Sequence, residues 1–301
     1  MIAEALRGRR IAVTGATGFV GTALVERLLY SVPDCHVVLL VRHGRRTPAP
    51  ERVQREILKN NAFDRLRARL GSDFDSFMAE RISIVAGDVG TDGLGLSRED
   101  AAMFASCDTI IHSAASVSFD SPLDSAVEVN LLGPMRIAQL LNSIGPRPDG
   151  TFPHLVAVST CYVAGNRRGY APEELVSAGP FNIGLEWRKE VAAARRLRSD
   201  AEAASRSPEN LEQFRKEARS ELGAAGAPAL AEKTEQNRER WVKDQLVEAG
   251  RSRAASVGWP DAYAFTKALG EQALTETKGS VPVSIVRPSI IESALARRGL
   301  S

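Results

Sequence analysis

Short apolar runs alternate along this chain with longer stretches whose apolar positions recur every three or four residues. Arg10–Thr14, His36–Val41, Arg81–Ala86, Thr109–Ser113, His154–Ser159 and Val281–Arg287 are rich in β-branched residues and have the length of strands. Phe19–Tyr30, Glu51–Leu70, Ser97–Phe104, Leu123–Ser143 and Ala262–Thr277 read as helices. Ser97, ahead of Arg98-Glu99-Asp100, offers a hydroxyl cap and an acidic first turn. Strands that alternate with helices predict right-handed crossovers and a parallel sheet covered on both faces. The expected fold class is α/β, a doubly wound, mainly parallel sheet of about six strands.

One segment breaks that rhythm. Over roughly residues 180–256 no strand pattern occurs, and the strong helix formers Ala, Glu, Arg, Lys and Leu dominate. Ser207-Pro208-Glu209 reads as a helix start, with Ser as cap and Pro in the first turn. Gly223, Gly226 and Pro228 punctuate the middle of the segment. The expectation is a helical subdomain inserted between the fifth and sixth strands of a single domain spanning residues 1–301.

Composition narrows the class. A chain of 301 residues can bury a core, and 44% apolar with 25% charged residues is ordinary for a soluble globular protein. A net charge of +2, with both signs interspersed, argues against a nucleic-acid partner. No apolar run reaches the roughly 18 residues of a spanning helix. The opening MIAEALRGRRIAVTG lacks the apolar stretch of a signal peptide, so a cytoplasmic location is expected. Cys35, Cys107 and Cys161 have neither metal-ligand nor CxxC spacing and read as reduced, buried thiols, with no metal site.

Thr14-Gly15-Ala16-Thr17-Gly18-Phe19-Val20-Gly21 joins the first strand to the first helix. In a Rossmann-type turn of this kind Gly15 permits the tight bend and Gly18 lets the backbone approach a pyrophosphate. Gly21 lets helix and strand pack closely, and the pyrophosphate lies over free N–H groups at the helix start. Thr17, Phe19 and Val20 complete the candidate loop. A carboxylate at the end of the second strand would bind a ribose 2′-hydroxyl and repel a 2′-phosphate. Here that strand ends Leu40-Val41-Arg42, and Arg42 can pair a phosphate bidentately, with Arg45 and Arg46 close behind. The expected cofactor is NADP(H). Asp88 and Val89, after the third strand, belong to the corner that meets an adenine ring. Ser113-Ala114-Ala115, after the fourth, are small enough for a cofactor to lie on the sheet edge.

Tyr263 and Lys267 stand four residues apart, which on a helix puts both on one face. A free tyrosine, with a pKa of about 10, is a poor proton donor and acceptor at neutral pH. A nearby ammonium favours the phenolate and lowers that value. Ser159-Thr160 ends the fifth strand, on the edge where such folds bind ligands, and a hydroxyl there can polarise a carbonyl oxygen. Asn130, on the fourth helix, reads either as holder of a water that relays protons to Lys267 or as a surface amide.

The phrases TGATGFVG, GDVG, HSAA, VSTCYVAG, YAFTKALGE and IVRPSIIES resemble the extended short-chain dehydrogenase/reductases, and within them the fatty acyl-CoA reductases of the male-sterility type. The resemblance covers about residues 10–293. The glycine turn and Tyr–Lys pair are shared across the superfamily, whereas YAFTKALGE, VRPSIIES and the long interval from Thr160 to Tyr263 are narrower. It implies that Thr160 is the catalytic hydroxyl with Ser159 its neighbour, Tyr263 the general acid, Lys267 its partner and Asn130 the relay asparagine. Arg287-Pro288-Ser289-Ile290 becomes the turn near the nicotinamide. Phe119, Cys161 and His112 read as packing residues.

What the resemblance implies is NADPH-dependent reduction of a long-chain acyl-CoA thioester to the aldehyde, and with a second hydride to the alcohol, the chemistry of fatty-alcohol and wax-ester formation. Three other readings stand beside it: a thioester reductase acting on carrier-protein-bound acyl chains, a sugar-nucleotide epimerase or dehydratase, and a non-catalytic NADP-binding or truncated interaction protein. Arg42–Arg69 carries nine Arg or Lys against Glu51, Glu56 and Asp64, a field that attracts a phosphate-rich ligand or a plain solvated face. The helical insertion is a candidate lid, acyl-chain clamp or membrane-facing surface, the last implying peripheral membrane contact. Family members normally continue with a C-terminal domain that this chain lacks, and Ala294–Ser301 reads as a frayed end.

Overall fold

The computed structural model describes residues 2–179, 184–223 and 226–291. The start of the helical segment at residues 180–183, the last two residues of VRPSIIES and the expected frayed end lie outside the described residues.

Six strands, β1 (Arg10–Thr14), β2 (His36–Val41), β3 (Ile82–Ala86), β4 (Thr109–His112), β5 (His154–Val158) and β6 (Val283–Val286), form a parallel sheet in the order β3-β2-β1-β4-β5-β6. Ile11 pairs with Val37 on one side and Thr109 on the other. Beyond its first residue β1 is wholly buried, and so is β2. That is why both read as unbroken apolar runs rather than alternating ones, as parallel strands covered on both faces do. Ile11, Val13, Val37, Leu39 and Val41 are alternate residues and share one face of the sheet. Val25 and Leu29 of the Phe19–Ser31 helix pack on that face. Both leucines of this group, Leu29 and Leu39, have no exposed surface, and truncating either to alanine costs about 2–5 kcal/mol. Strand order reverses between β1 and β4, so the ends of these two strands flank the crevice where such sheets take ligands. By contrast β6 lies at an edge and leaves Ser284 and Val286 exposed.

The stretch expected as one helix over Glu51–Leu70 is broken. It comprises a helical turn Ala49–Arg52, a π turn Val53–Leu58, a 3-10 turn Asn61–Phe63 and a helix Asp64–Leu70. The cause is Asn60, whose backbone is extended and whose Oδ1 accepts the Ala62 N–H at 2.9 Å. Such a side-chain bond offers the backbone an alternative to the helix. A helix over Phe74–Arg81 adds to those expected. It buries only Phe74 and Met78, too short a stripe to show a period. Ser97 caps its helix as expected, its Oγ accepting the Asp100 N–H at 3.0 Å.

The described chain forms two compact units. One, built from Met1–Ala115, Leu132–Tyr162 and Ala273–Ser301, contains the sheet. The other, Ser116–Leu131 with Val163–Gln272, contains the helices Trp187–Ala204, Pro208–Leu222 and Ala227–Ser256. Ser207 caps the second of these, accepting the Asn210 N–H. Buried Arg238 of the third donates to Glu202 and to Ser205, at the end of the first, at 2.8 and 2.9 Å, and to Glu235 on its own helix. The arginine is buried while both carboxylates reach solvent, so the pairs orient the helices more than they stabilise them, at about 1 kcal/mol or less each. A Cβ on Gly250 would stand 3.2 Å from Leu123 and 3.3 Å from Ala262, so the glycine lets the long helix press against the start of the Ala262–Thr277 helix. Among the described residues no helix is long and apolar enough to cross a membrane.

Candidate active site

In the first unit the turn after β1 is main chain fitted to main chain. Gly15 has φ +73°, and a Cβ there would stand 2.5 Å from the Ala114 nitrogen. A Cβ on Gly21 would come within 2.2 Å of the Gly15 carbonyl, so Gly21 closes on the turn itself. Gly18 donates to the Gly15 carbonyl at 2.9 Å and caps the Phe19–Ser31 helix without offering a side-chain acceptor. The first N–H groups of that helix have no intrahelical partner by construction. Gly18 and Phe19 are exposed, while Thr17 and Val20 are half-buried. Thr22 Oγ1 donates to the Ala16 carbonyl at 2.8 Å and fixes the bend from behind. A cavity-like bend that a Cβ would fill, beside N–H groups with no side-chain cap, suits a diphosphate.

The ends of β1 and β4 are stitched together around this turn. Thr14 Oγ1 lies 2.8 Å from His112 Nδ1 and accepts the Ala114 N–H at 3.3 Å, and Ser113 Oγ donates to the Thr14 carbonyl at 2.7 Å. His112 is buried, as expected of a packing residue. After β2, Arg42 is exposed, its Nη1 3.9 Å from Asp88 Oδ2. Asp88 Oδ1 accepts the Gly90 N–H at 2.8 Å, which turns the chain after β3 beside buried Val89. Ser159 and Thr160 are buried at the end of β5. Ser159 N–H donates to the Val286 carbonyl at 2.7 Å and Cys161 N–H to the Pro288 carbonyl at 2.9 Å, so the Pro288 turn is tied to the strand end. Thr160 Oγ1 accepts the Tyr162 N–H at 3.2 Å. Ser289 and Ile290 are exposed.

Tyr263 and Lys267 belong to the second unit, on the helix Ala262–Thr277. Asp261 caps it, its Oδ1 accepting the Ala264 N–H at 2.8 Å. The Tyr263 ring is half-buried and meets Phe119 edge-on, with ring centres 6.5 Å apart. Lys267 is only 6% exposed, and burial brings its ammonium from 10.5 down to about 8, opposed by the Glu271 carboxylate one turn on. Asn130 is no surface amide. It lies on a π turn, Val127–Leu131, with 1% exposure. Its Oδ1 accepts the Ser116 N–H at 2.8 Å, and its Nδ2 donates to the Ser116 carbonyl at 3.0 Å and to Thr266 Oγ1 at 3.2 Å. The amide thereby ties the segment at Ser116 to the residue next to Lys267. Gly270 completes the brace, since a Cβ there would sit 2.4 Å from the Asn130 carbonyl.

Two packing expectations fail. Phe119 is 61% exposed and Cys161 is exposed. Phe119 sits in a turn among Ser and Asp, and Cys161 on one 3-10 turn after β5, and the described residues leave both open. Cys35 and Cys107 are buried as expected, and burial pushes both thiols up to about 11. Ser116, Thr266 and Gly270 join the site without having been expected there. Gly270 alone carries a signal in the sequence, because glycine inside a helix costs about 1 kcal/mol and is kept there for close packing.

The Male sterility protein family model, NAD_binding_4, matches residues 13–299. The chain is 30% identical to fatty acyl-CoA reductase 2, chloroplastic, of Arabidopsis thaliana, over 96% of this chain and 42% of that protein. It is 31% identical to the alcohol-forming fatty acyl-CoA reductase of Simmondsia chinensis, over 97% of this chain and 53% of that one. The chain thus spans about half the length of these relatives. Among solved structures, the terminal R domain from the myxalamid PKS-NRPS biosynthetic pathway shares the fold with a TM-score of 0.53 and 22% identity, covering 94% of this chain and 49% of that one. The glycine turn beside a six-stranded parallel sheet and the match along nearly its whole length lead to one conclusion: the chain belongs to the male sterility protein family of NAD-binding domains.

Proposed function

We propose that this chain is the dinucleotide-binding part of a fatty acyl-CoA reductase. It uses NADP(H) to take a long-chain acyl-CoA thioester to the aldehyde and, in a second cycle, to the primary alcohol. The observation that carries the reading is the buried Lys267 ammonium one helical turn from the half-buried Tyr263 phenol. Two relatives with the names fatty acyl-CoA reductase and alcohol-forming fatty acyl-CoA reductase support it.

Gly15, Thr17, Gly18, Phe19, Val20 and Gly21 hold the diphosphate. Asp88 and Val89 meet the adenine, and Ser113, Ala114, Ala115 and Ser159 line the edge of the sheet. Pro288, Ser289 and Ile290 pack near the nicotinamide. Arg42, exposed and only loosely paired with Asp88 at 3.9 Å, receives the 2′-phosphate. When bound, the dinucleotide supplies the hydride. Negative charge then develops on the thioester oxygen, where the Thr160 and Tyr263 hydroxyls donate hydrogen bonds. Tyr263 delivers a proton as general acid, and the hemithioacetal expels the thiol. Charged Lys267 favours the phenolate left behind. Asn130 braces the helix through Thr266 and holds the water by which Lys267 exchanges its proton. The helices over about residues 180–256 act as a subdomain inserted in one dinucleotide-binding domain, in a cytoplasmic protein with peripheral membrane contact.

Oxidation of NADPH, followed by absorbance with a panel of acyl-CoAs and with an acyl carrier protein, tests this reading. Acyl-CoA-dependent oxidation is expected, slowed about 1,000-fold in Tyr263→Phe. Arg42→Ala should weaken NADPH and leave NADH unchanged. A preparation that binds NADPH yet oxidises none of it with any acyl-CoA sinks the proposal, and turnover of the carrier-bound substrate alone reassigns it.

A further inference from the structure

A shallow, open cleft of about 520 Å³ lies within the second unit, beside the start of the Tyr263 helix. Phe119, Ala255 and Pro260 give it an apolar wall, and Glu248, Arg251 and Asp261 its charges. The exposed Phe119 ring both lines the cleft and meets Tyr263 edge-on, so the cleft ends one ring away from the phenol. Four of its contributors, Glu248, Arg251, Ser252 and Ala255, stand on the last turns of the Ala227–Ser256 helix, which gives that helix a part in binding.

Its chemistry is selective. Arg251 is ion-paired with Asp120, so its charge is already balanced, and Glu248 and Asp261 add two carboxylates. A phosphate would meet a net negative wall. A bare alkyl chain would strip water from a guanidinium and two carboxylates and give them nothing in return. Each carboxylate keeps accepting capacity, because Ser252 Oγ takes one site on Glu248 and the Ala264 N–H one on Asp261. A neutral chain that carries amides between short apolar stretches satisfies both parts of this lining.

We infer that the cleft binds the amide-bearing pantetheine arm of the acyl thioester, delivering the thioester past Phe119 to Tyr263. The arm's N–H groups donate to the Glu248 and Asp261 carboxylates, and its carbonyls accept from Arg251. Its gem-dimethyl group rests against Phe119, Ala255 and Pro260. Coenzyme A and a carrier protein present the same arm, and the phosphate beyond it stays outside. The inference rests on the reading of Tyr263 as the residue that meets a thioester.

Calorimetric titration with an unreactive thioether, S-dodecyl-pantetheine, tests it on the 301-residue chain. Dodecyl methyl sulfide, which lacks the arm, serves as the second probe. S-dodecyl-coenzyme A and a carrier protein bearing the same thioether separate the two sources. Arg251→Ala and Glu248→Ala, both at the rim, should each weaken S-dodecyl-pantetheine about ten-fold, the loss of one hydrogen bond to a charged group. Phe119→Ala should weaken it similarly, with the NADPH Kd and melting temperature of all three variants unchanged. Failure of S-dodecyl-pantetheine to bind overturns the inference. So does unchanged affinity in all three variants, or an equal loss for dodecyl methyl sulfide. Turnover of acyl-CoA with binding unaffected by the variants removes the cleft assignment and keeps the reductase. Variant-sensitive binding without any NADPH oxidation does the reverse.

Discussion

In the turn after β1, glycines bring main chain against main chain, Gly21 against Gly15 and Gly15 against Ala114. Against the helix that carries Tyr263, the buried Asn130 amide joins Ser116 to Thr266, the latter 136 residues from Asn130 in sequence. The turn tolerates no added atom, since a Cβ on Gly15 or Gly21 would overlap backbone that has nowhere to go. The helix tolerates no lost hydrogen bond, since each partner of Asn130 is itself a polar group that needs one. Shape governs the first region and polar satisfaction the second.

The largest effect that separates them is expected from Gly21→Ala. With 2.2 Å available, the turn must shift, and NADPH affinity should fall about 100-fold or more, a cost of about 3 kcal/mol. Fluorescence titration of NADPH measures it, and an unchanged Kd breaks the view of the turn as a filled shape.

Lys267→Met comes next and carries a sign. The folded chain holds this proton with a pKa of about 8, against 10.5 for an ordinary lysine. At pH 7 the group is charged in both states, and the folded state bears the burial of that charge. Between pH 8 and 10.5 the unfolded chain keeps a proton that the folded chain has released, so this contribution to stability rises with pH. Lys267→Met should therefore be more stable than the parent at pH 7, by up to about 3 kcal/mol, with the gap closing as pH approaches 10. Urea unfolding of both proteins at two pH values decides it, and a gap independent of pH refutes the burial argument.

Asn130→Ala should be milder. It strands the Ser116 N–H and carbonyl and weakens the hold on Thr266, for a loss of about 2 kcal/mol in urea unfolding. NADPH binding should be untouched, and a fall in cofactor affinity comparable with that of Gly21→Ala would erase the distinction between the two regions.

The same distinction explains what is legible in the sequence. The Tyr263 helix is bounded there to the residue, the six strands to within two, and the Gly15–Gly21 turn has its shape assigned, because each is written in local spacing. The Glu51–Leu70 stretch reads as one helix although one side-chain bond, from Asn60 to Ala62, overrides helix formers on both sides. Phe74–Arg81 leaves no pattern because two buried residues do not make a period. Asn130 stands out as a polar residue in a helix, but its three hydrogen bonds reach elements that no spacing connects to it. Phe119 and Cys161 adjoin apolar motifs and so read as covered. Exposure depends on whether a second layer passes overhead, and local sequence carries no trace of that.

A diphosphate seat made of peptide N–H groups has no ionisable members. Its grip does not vary with proton concentration, whereas the amine that partners the phenol changes charge only a little above neutrality. As a cell's acidity drifts, the diphosphate contact in the proposed enzyme therefore stays level while turnover responds.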